Sequence, residues 1–160
     1  TTEDAVFTDE SQDAYAFNTA YTGDNYGVSI TYGVVENDTV TNEDTYTAFN
    51  AYYLPEGSNL PSVSVGYEIG DIGGAAATVD EKTSFMVGLS WDEVGPGSAG
   101  IALGHSSTVE GSDEEYQYEA YYSYPINDGM TITPLIYSKD NVTSGADDTT
   151  GVMVKTSFSF

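Results

Sequence analysis

The chain has 160 residues, with 26 Asp plus Glu against three Lys plus Arg, a formal net charge of -23, 17 Gly, 14 Tyr and no Cys. That acidity excludes a basic face for nucleic acid or anionic headgroups, and the lack of cysteine excludes disulfide staples, thiolate metal sites and cysteine nucleophiles. No run of about 18 apolar residues predicts a membrane-spanning helix, and Thr1-Thr2-Glu3-Asp4 lacks the features of a signal peptide, so a processed or truncated start is expected.

Period-two alternation then recurs along most of the chain, which predicts strands with two unlike faces. Residues 13–22 read as a first strand of unassigned faces. In the second, Tyr26, Val28, Ile30, Tyr32 and Val34 oppose Gly27, Ser29, Thr31 and Gly33. A third, again of unassigned faces, covers residues 45–54. Next, Val63, Val65, Tyr67 and Ile69 oppose Ser64, Gly66, Glu68 and Gly70, and Phe85, Val87, Leu89 and Trp91 oppose Ser84, Met86, Gly88, Ser90 and Asp92. Residues 99–107 follow, then Tyr116, Tyr118, Ala120, Tyr122 and Tyr124 against Gln117, Glu119, Tyr121 and Ser123. Residues 130–139 and a last strand, with Val152, Val154, Thr156, Phe158 and Phe160 against Met153, Lys155, Ser157 and Ser159, complete the set. The expectation is an all-β chain, one unit over residues 1–160, with about nine strands of roughly ten residues, the length of tilted membrane-spanning strands.

Connections are expected to alternate. Tight turns are read at 22–25, 55–59, 94–98 and 125–129, and loose acidic or small polar loops at 36–44, 71–82, 108–114 and 140–150. Short turns on one side and long loops on the other describe an antiparallel transmembrane β-barrel. Since single-chain bacterial barrels of this kind have even strand numbers, about nine strands imply further strands upstream. Tyr26, Tyr52, Tyr53, Trp91, Tyr122, Tyr124, Phe158 and Phe160 all fall close to a tight turn or the terminus, which predicts an aromatic girdle at one membrane interface. In such a barrel Glu68, Asp92, Glu119 and Lys155 are expected to project into the water inside and to line a pore, where two readings stand: the charges only solvate the lumen wall, or their carboxylate excess favours cations. For the overall acidity two readings stand: a surface adapted to salty water, or an acidic vestibule that enriches cations.

Order and spacing in three stretches carry a resemblance. Ser84 to Asp92, the Gly95 to Ser98 turn and Ala99 to Gly104, with Tyr118 to Ile126, Met130 to Pro134 and the ending Phe158-Ser159-Phe160, resemble the C-terminal half of cyanobacterial outer-membrane porins related to the carbohydrate-selective OprB family. The resemblance covers roughly residues 60–160, and residues before these match by pattern alone. It implies the C-terminal part of a larger barrel of about 16 strands, located in the cell outer membrane. It implies a passive channel for ions and small hydrophilic solutes, cation-preferring, without cofactor or catalysis. Other porins are trimers, so a homotrimer embedded in outer-membrane lipid is the expected assembly. Phe158 and Phe160 resemble the signal read by the barrel-insertion machinery.

Other chemistries fare worse. Gly95-Pro96-Gly97-Ser98-Ala99-Gly100 fits G-x-G-x-x-G but precedes a strand, so it reads as a turn and not a dinucleotide site. His105 is the only histidine and reads as a wall or rim residue. Glu114-Glu115 and Asp147-Asp148 read as solvated loop charge, and no metal site is expected. The alternative function is a secreted acidic β-sandwich serving as a binding or adhesin module, which requires apolar faces richer in Leu, Ile and Phe.

Overall fold

The computed structural model describes residues 13–36, 43–57, 59–73, 81–143 and 145–159. Alternation gives no continuous stripe for a helix to bury, and no described residue is helical. Nine strands form instead: β1 Ala14–Thr22, β2 Tyr26–Glu36, β3 Glu43–Tyr53, β4 Ser62–Asp71, β5 Glu81–Val94, β6 Gly97–Val109, β7 Tyr116–Asn127, β8 Met130–Lys139 and β9 Thr149–Phe158. They make one sheet in chain order, each antiparallel to the next, with β1 and β9 at its edges.

All connections of one kind lie at one end. At the turn end, Gly23 N–H donates to Tyr26 O at 2.8 Å around Asp24-Asn25. Gly95, at φ 62, and Pro96 join the paired Val94 and Gly97, an arrangement that needs glycine at the first turn position and a fixed φ at the second. Asn127 Oδ1 accepts from Gly129 N–H at 2.9 Å across the β7–β8 turn. The β3–β4 connection, residues 54–61, is longer than the tight turn expected there, and Leu54 N–H donates to Asn25 O at 2.7 Å to tie it to the neighbouring turn. Pro125, Ile126 and Asn127, read as turn residues, belong to β7. The proline is tolerated because it sits against Thr131 beside a register shift, where the ladder is already interrupted.

At the other, loop end lie the ends of β2, β4, β6 and β8 and the starts of β1, β3, β5, β7 and β9, with the described residues 72–73, 110–115, 140–143 and 145–148. Glu36 N–H donates to Asp13 O at 2.8 Å and Asp140 N–H to Tyr116 O at 2.9 Å, extending the ladders to that rim. Asp44 Oδ1 accepts from Gly73 N–H at 2.9 Å and holds the start of the β4–β5 connection.

Nothing packs on the sheet as a second layer among the described residues. Val34, 2 % exposed, is the sole buried hydrophobic side chain among them. The chain exposes 11138 Å², against roughly 7,800 Å² for a compact protein of its 17.1 kDa. The strands are also staggered. One unbroken row of partners runs Tyr21, Val28, Ala51, Val65, Val87, Leu103, Tyr118, Ser138, Thr150. It begins one residue from the turn end of β1 and finishes eight residues from the turn end of β9. At about 3.3 Å per residue and about 4.8 Å per strand, that drift is a tilt of roughly 30°.

Candidate functional site

Register sorts every strand residue onto one of two faces. One is apolar and carries no charged side chain over the middle of any strand: Tyr15, Phe17, Thr19 and Tyr21 on β1; Tyr26, Val28, Ile30 and Tyr32 on β2; Phe49, Ala51 and Tyr53 on β3; Val63, Val65, Tyr67 and Ile69 on β4. It continues with Phe85, Val87, Leu89 and Trp91 on β5, Ala99, Ile101, Leu103 and His105 on β6, and Tyr116, Tyr118, Ala120 and Tyr124 on β7. Met130, Ile132, Pro134 and Ile136 on β8, with Val152, Val154, Thr156 and Phe158 on β9, finish it. Many of these are wide open, Val152 at 80 % and Phe17 at 69 %.

Aromatic side chains on this face gather at both strand ends, with aliphatic residues between. Tyr26, Trp91, Tyr122 and Tyr124 lie toward the turn end as expected, joined by Tyr21, Tyr53 and Phe158. Tyr21 and Tyr26 approach with centroids 5.8 Å apart, and Tyr122 O–H donates to Val94 O at 2.8 Å above the Gly95-Pro96 turn. A second group, which the sequence reading missed, lies toward the loop end: Tyr15, Phe17, Tyr32, Tyr67, Phe85, Tyr116 and Tyr118. His105 belongs to that group. Its ring meets Phe85 edge-on at 4.9 Å and Tyr116 at 5.8 Å, and its Nδ1 lies 2.9 Å from Ser106 O. Tyr52, expected in the girdle, lies on the opposite face, across from Gly27. Phe160 falls outside the described residues.

The other face is small and polar. Gly, Ala, Ser and Thr dominate it, and cross-strand hydrogen bonds satisfy its side chains: Asn18 Nδ2–H to Thr31 Oγ1 at 2.6 Å and Thr133 O–H to Ser123 Oγ at 3.1 Å. Glu68, Glu119 and Lys155 all stand on it, opposite Ser84, Tyr137 and Thr133. Asp92 lies beyond the last regular pair of β5, Trp91 with Ala99, in an irregular stretch. It lines a cleft of about 310 Å³ with Pro55, Asn59, Leu60, Trp91 and Glu93 beneath the β3–β4 connection. Lys82, opposite Gly70, and Lys139, opposite Gln117, share the face with Lys155, so all three basic residues of the chain are on it. Lys139 Nζ is 2.7 Å from Glu115 Oε2.

Charge is therefore distributed unevenly along the strands. Away from the strand ends, the charged side chains of the polar face are Glu68, Glu119 and Lys155. Most of the described carboxylates lie at the loop end, among them Glu36, Glu43, Asp71, Glu81, Glu110, Asp113, Glu114, Asp140, Asp147 and Asp148, against Asp24, Glu56, Asp92, Glu93 and Asp128 at the turn end. No group of three or more metal-ligating side chains forms among the described residues. Such a sheet offers water and ions a smooth polar surface with an acidic rim, and offers an apolar medium the opposite surface. Compared with protein families, curated proteins and solved structures, the chain matches none.

Proposed function

We propose that this sheet is part of the wall of a transmembrane β-barrel in an outer membrane, forming a passive channel for ions and small hydrophilic solutes, with preference for cations and no catalytic step. The observation that carries the reading is a single-layer sheet whose apolar face, uncharged over the middle of every strand, has no covering layer among the described residues. In water, that much exposed Val, Ile, Phe and Tyr would be costly, at about 25 cal/mol per Å² of apolar area. Against hydrocarbon it is favourable, and the antiparallel ladder satisfies the backbone groups that lipid cannot. From Thr83 to Trp91 the uncharged run is about 26 Å along the strand, the scale of the outward apolar band of such barrels. Aromatic groups at both of its ends fit the two interfaces, where one side of a ring is apolar and the other wet. The tilt approaches the 35–45° of closed barrels.

The polar face would then line the lumen, with the loops forming an acidic outer mouth. Planar-bilayer recording under a salt gradient tests this. Stepwise conductance with a cation-selective reversal potential is the expected result. A chain that stays folded and monodisperse in plain buffer, and inserts into no bilayer, overturns the reading in favour of a soluble binding module.

A further inference from the structure

Register on the polar face pairs tyrosine with glycine with unusual consistency. Tyr46 stands directly opposite Gly70, Tyr52 opposite Gly27, Tyr121 opposite Gly100 and Tyr137 opposite Gly151. These four are the only tyrosines of the polar face among the described residues. In each pair the ring occupies the space where the glycine's Cβ would be. A methyl on Gly70 would come within 2.8 Å of the Tyr46 ring edge, and on Gly27, Gly100 and Gly151 it would meet the far edge of the ring, at Cε1, Cζ and the hydroxyl. Gly27, Gly70 and Gly100 are accordingly buried in an otherwise open sheet. An aromatic side chain standing upright from its strand could not reach a neighbouring strand's Cα with its outer edge. These rings lie down along the sheet, each over a glycine.

We infer that the four glycines set the bore of the channel, because each lets a tyrosine lie against the wall instead of standing in the permeation path. This rests on the pore reading and goes beyond it by naming residues that fix which solutes fit. Pore selectivity by size depends on the free diameter left by lining side chains. A tyrosine lying on glycine presents a thin, amphipathic surface, whereas the same ring raised by a methyl would project into the lumen. Gly33 provides the internal contrast: it is on the same face, and a methyl there has ordinary contacts at 3.7 Å with Ala16 Cβ and Tyr15 O.

The test measures single-channel conductance and the nitration of individual tyrosines, mapped by mass spectrometry, in the refolded protein with the strands that complete its sheet. Gly27→Ala and Gly151→Ala should lower conductance and raise nitration of Tyr52 and Tyr137, while Gly33→Ala changes neither. Tyr52→Ala alone should leave conductance near wild type, since its ring is already out of the path, and combining it with Gly27→Ala should restore the loss. A clear conductance gain in Tyr52→Ala, or unchanged nitration in both glycine variants, overturns the inference. Wild-type protein without channels would overturn the pore reading instead, and nitration would still decide where the rings lie.

Discussion

On the pore reading, a single wall charge such as Glu68 or Glu119 decides little. Each has a lysine elsewhere on the same face to offset it, and Glu115 already takes up Lys139 at 2.7 Å. Neutralising Glu119 by Glu119→Gln should therefore move the reversal potential only slightly toward zero. Asp113→Asn with Glu114→Gln, at the rim where carboxylates are unopposed, should move it further, and the ratio of the two shifts is the measurement. The Glu115–Lys139 pair is substantially exposed, so Glu115→Gln should cost under about 1 kcal/mol in unfolding free energy. Gly104 is a different case. A methyl there would run into Phe85 O and Met86 Cα, backbone atoms that cannot swing away, beside the β5–β6 register shift. Gly104→Ala should lose about 1–3 kcal/mol by overpacking, read as a lower urea midpoint, whereas Gly33→Ala should hold or slightly gain stability.

At the level of the strand, the two faces make opposite predictions for adjacent positions. Val65→Lys would put an ammonium in the apolar band and should destabilise the folded state in bilayers by about 2–4 kcal/mol; Ser64→Lys, one residue away on the polar face, should leave stability nearly unchanged and alter conductance. Equal costs for the two would remove the distinction between faces on which the pore reading depends. Strands of this kind are legible in sequence because one face is apolar and the other small and polar, and the period-two readings fall on β2, β4, β5, β7 and β9. Pro125 misleads because a proline signals a turn in most contexts, while here an interrupted ladder accommodates it. The loop-end aromatic group was hidden because Phe85, His105 and Tyr116 come together only through pairing across β5, β6 and β7. The tyrosine–glycine pairs are likewise a property of register, which a single strand does not contain. Asp92 was placed by simple alternation, and alternation ends at Trp91.

Over the whole molecule, strand direction constrains how the sheet can be completed. β1 and β9 both run from the loop end to the turn end, so direct contact between them would be a parallel seam in an otherwise antiparallel sheet. Antiparallel closure needs an odd number of additional strands between these edges, the outermost running from turn end to loop end. A second copy in the same orientation presents the wrong direction at both seams, and an inverted copy would put its acidic loops at the opposite rim. Neither edge carries the usual protection against pairing: β1 has no charge or proline from Ala14 to Thr22, and β9 has only Lys155. Hydrogen exchange separates the possibilities residue by residue. If the edges are open, alternate amides of β1 and β9 should exchange much faster than those of β2 to β8, whose strands are paired on both sides. Protection of β1 and β9 equal to the centre would mean that the chain closes its own sheet or pairs edge to edge. Cysteines at Phe17 and Val152, introduced into a chain that has none, would then tell a seam within one molecule from a contact between two by whether the disulfide is intramolecular.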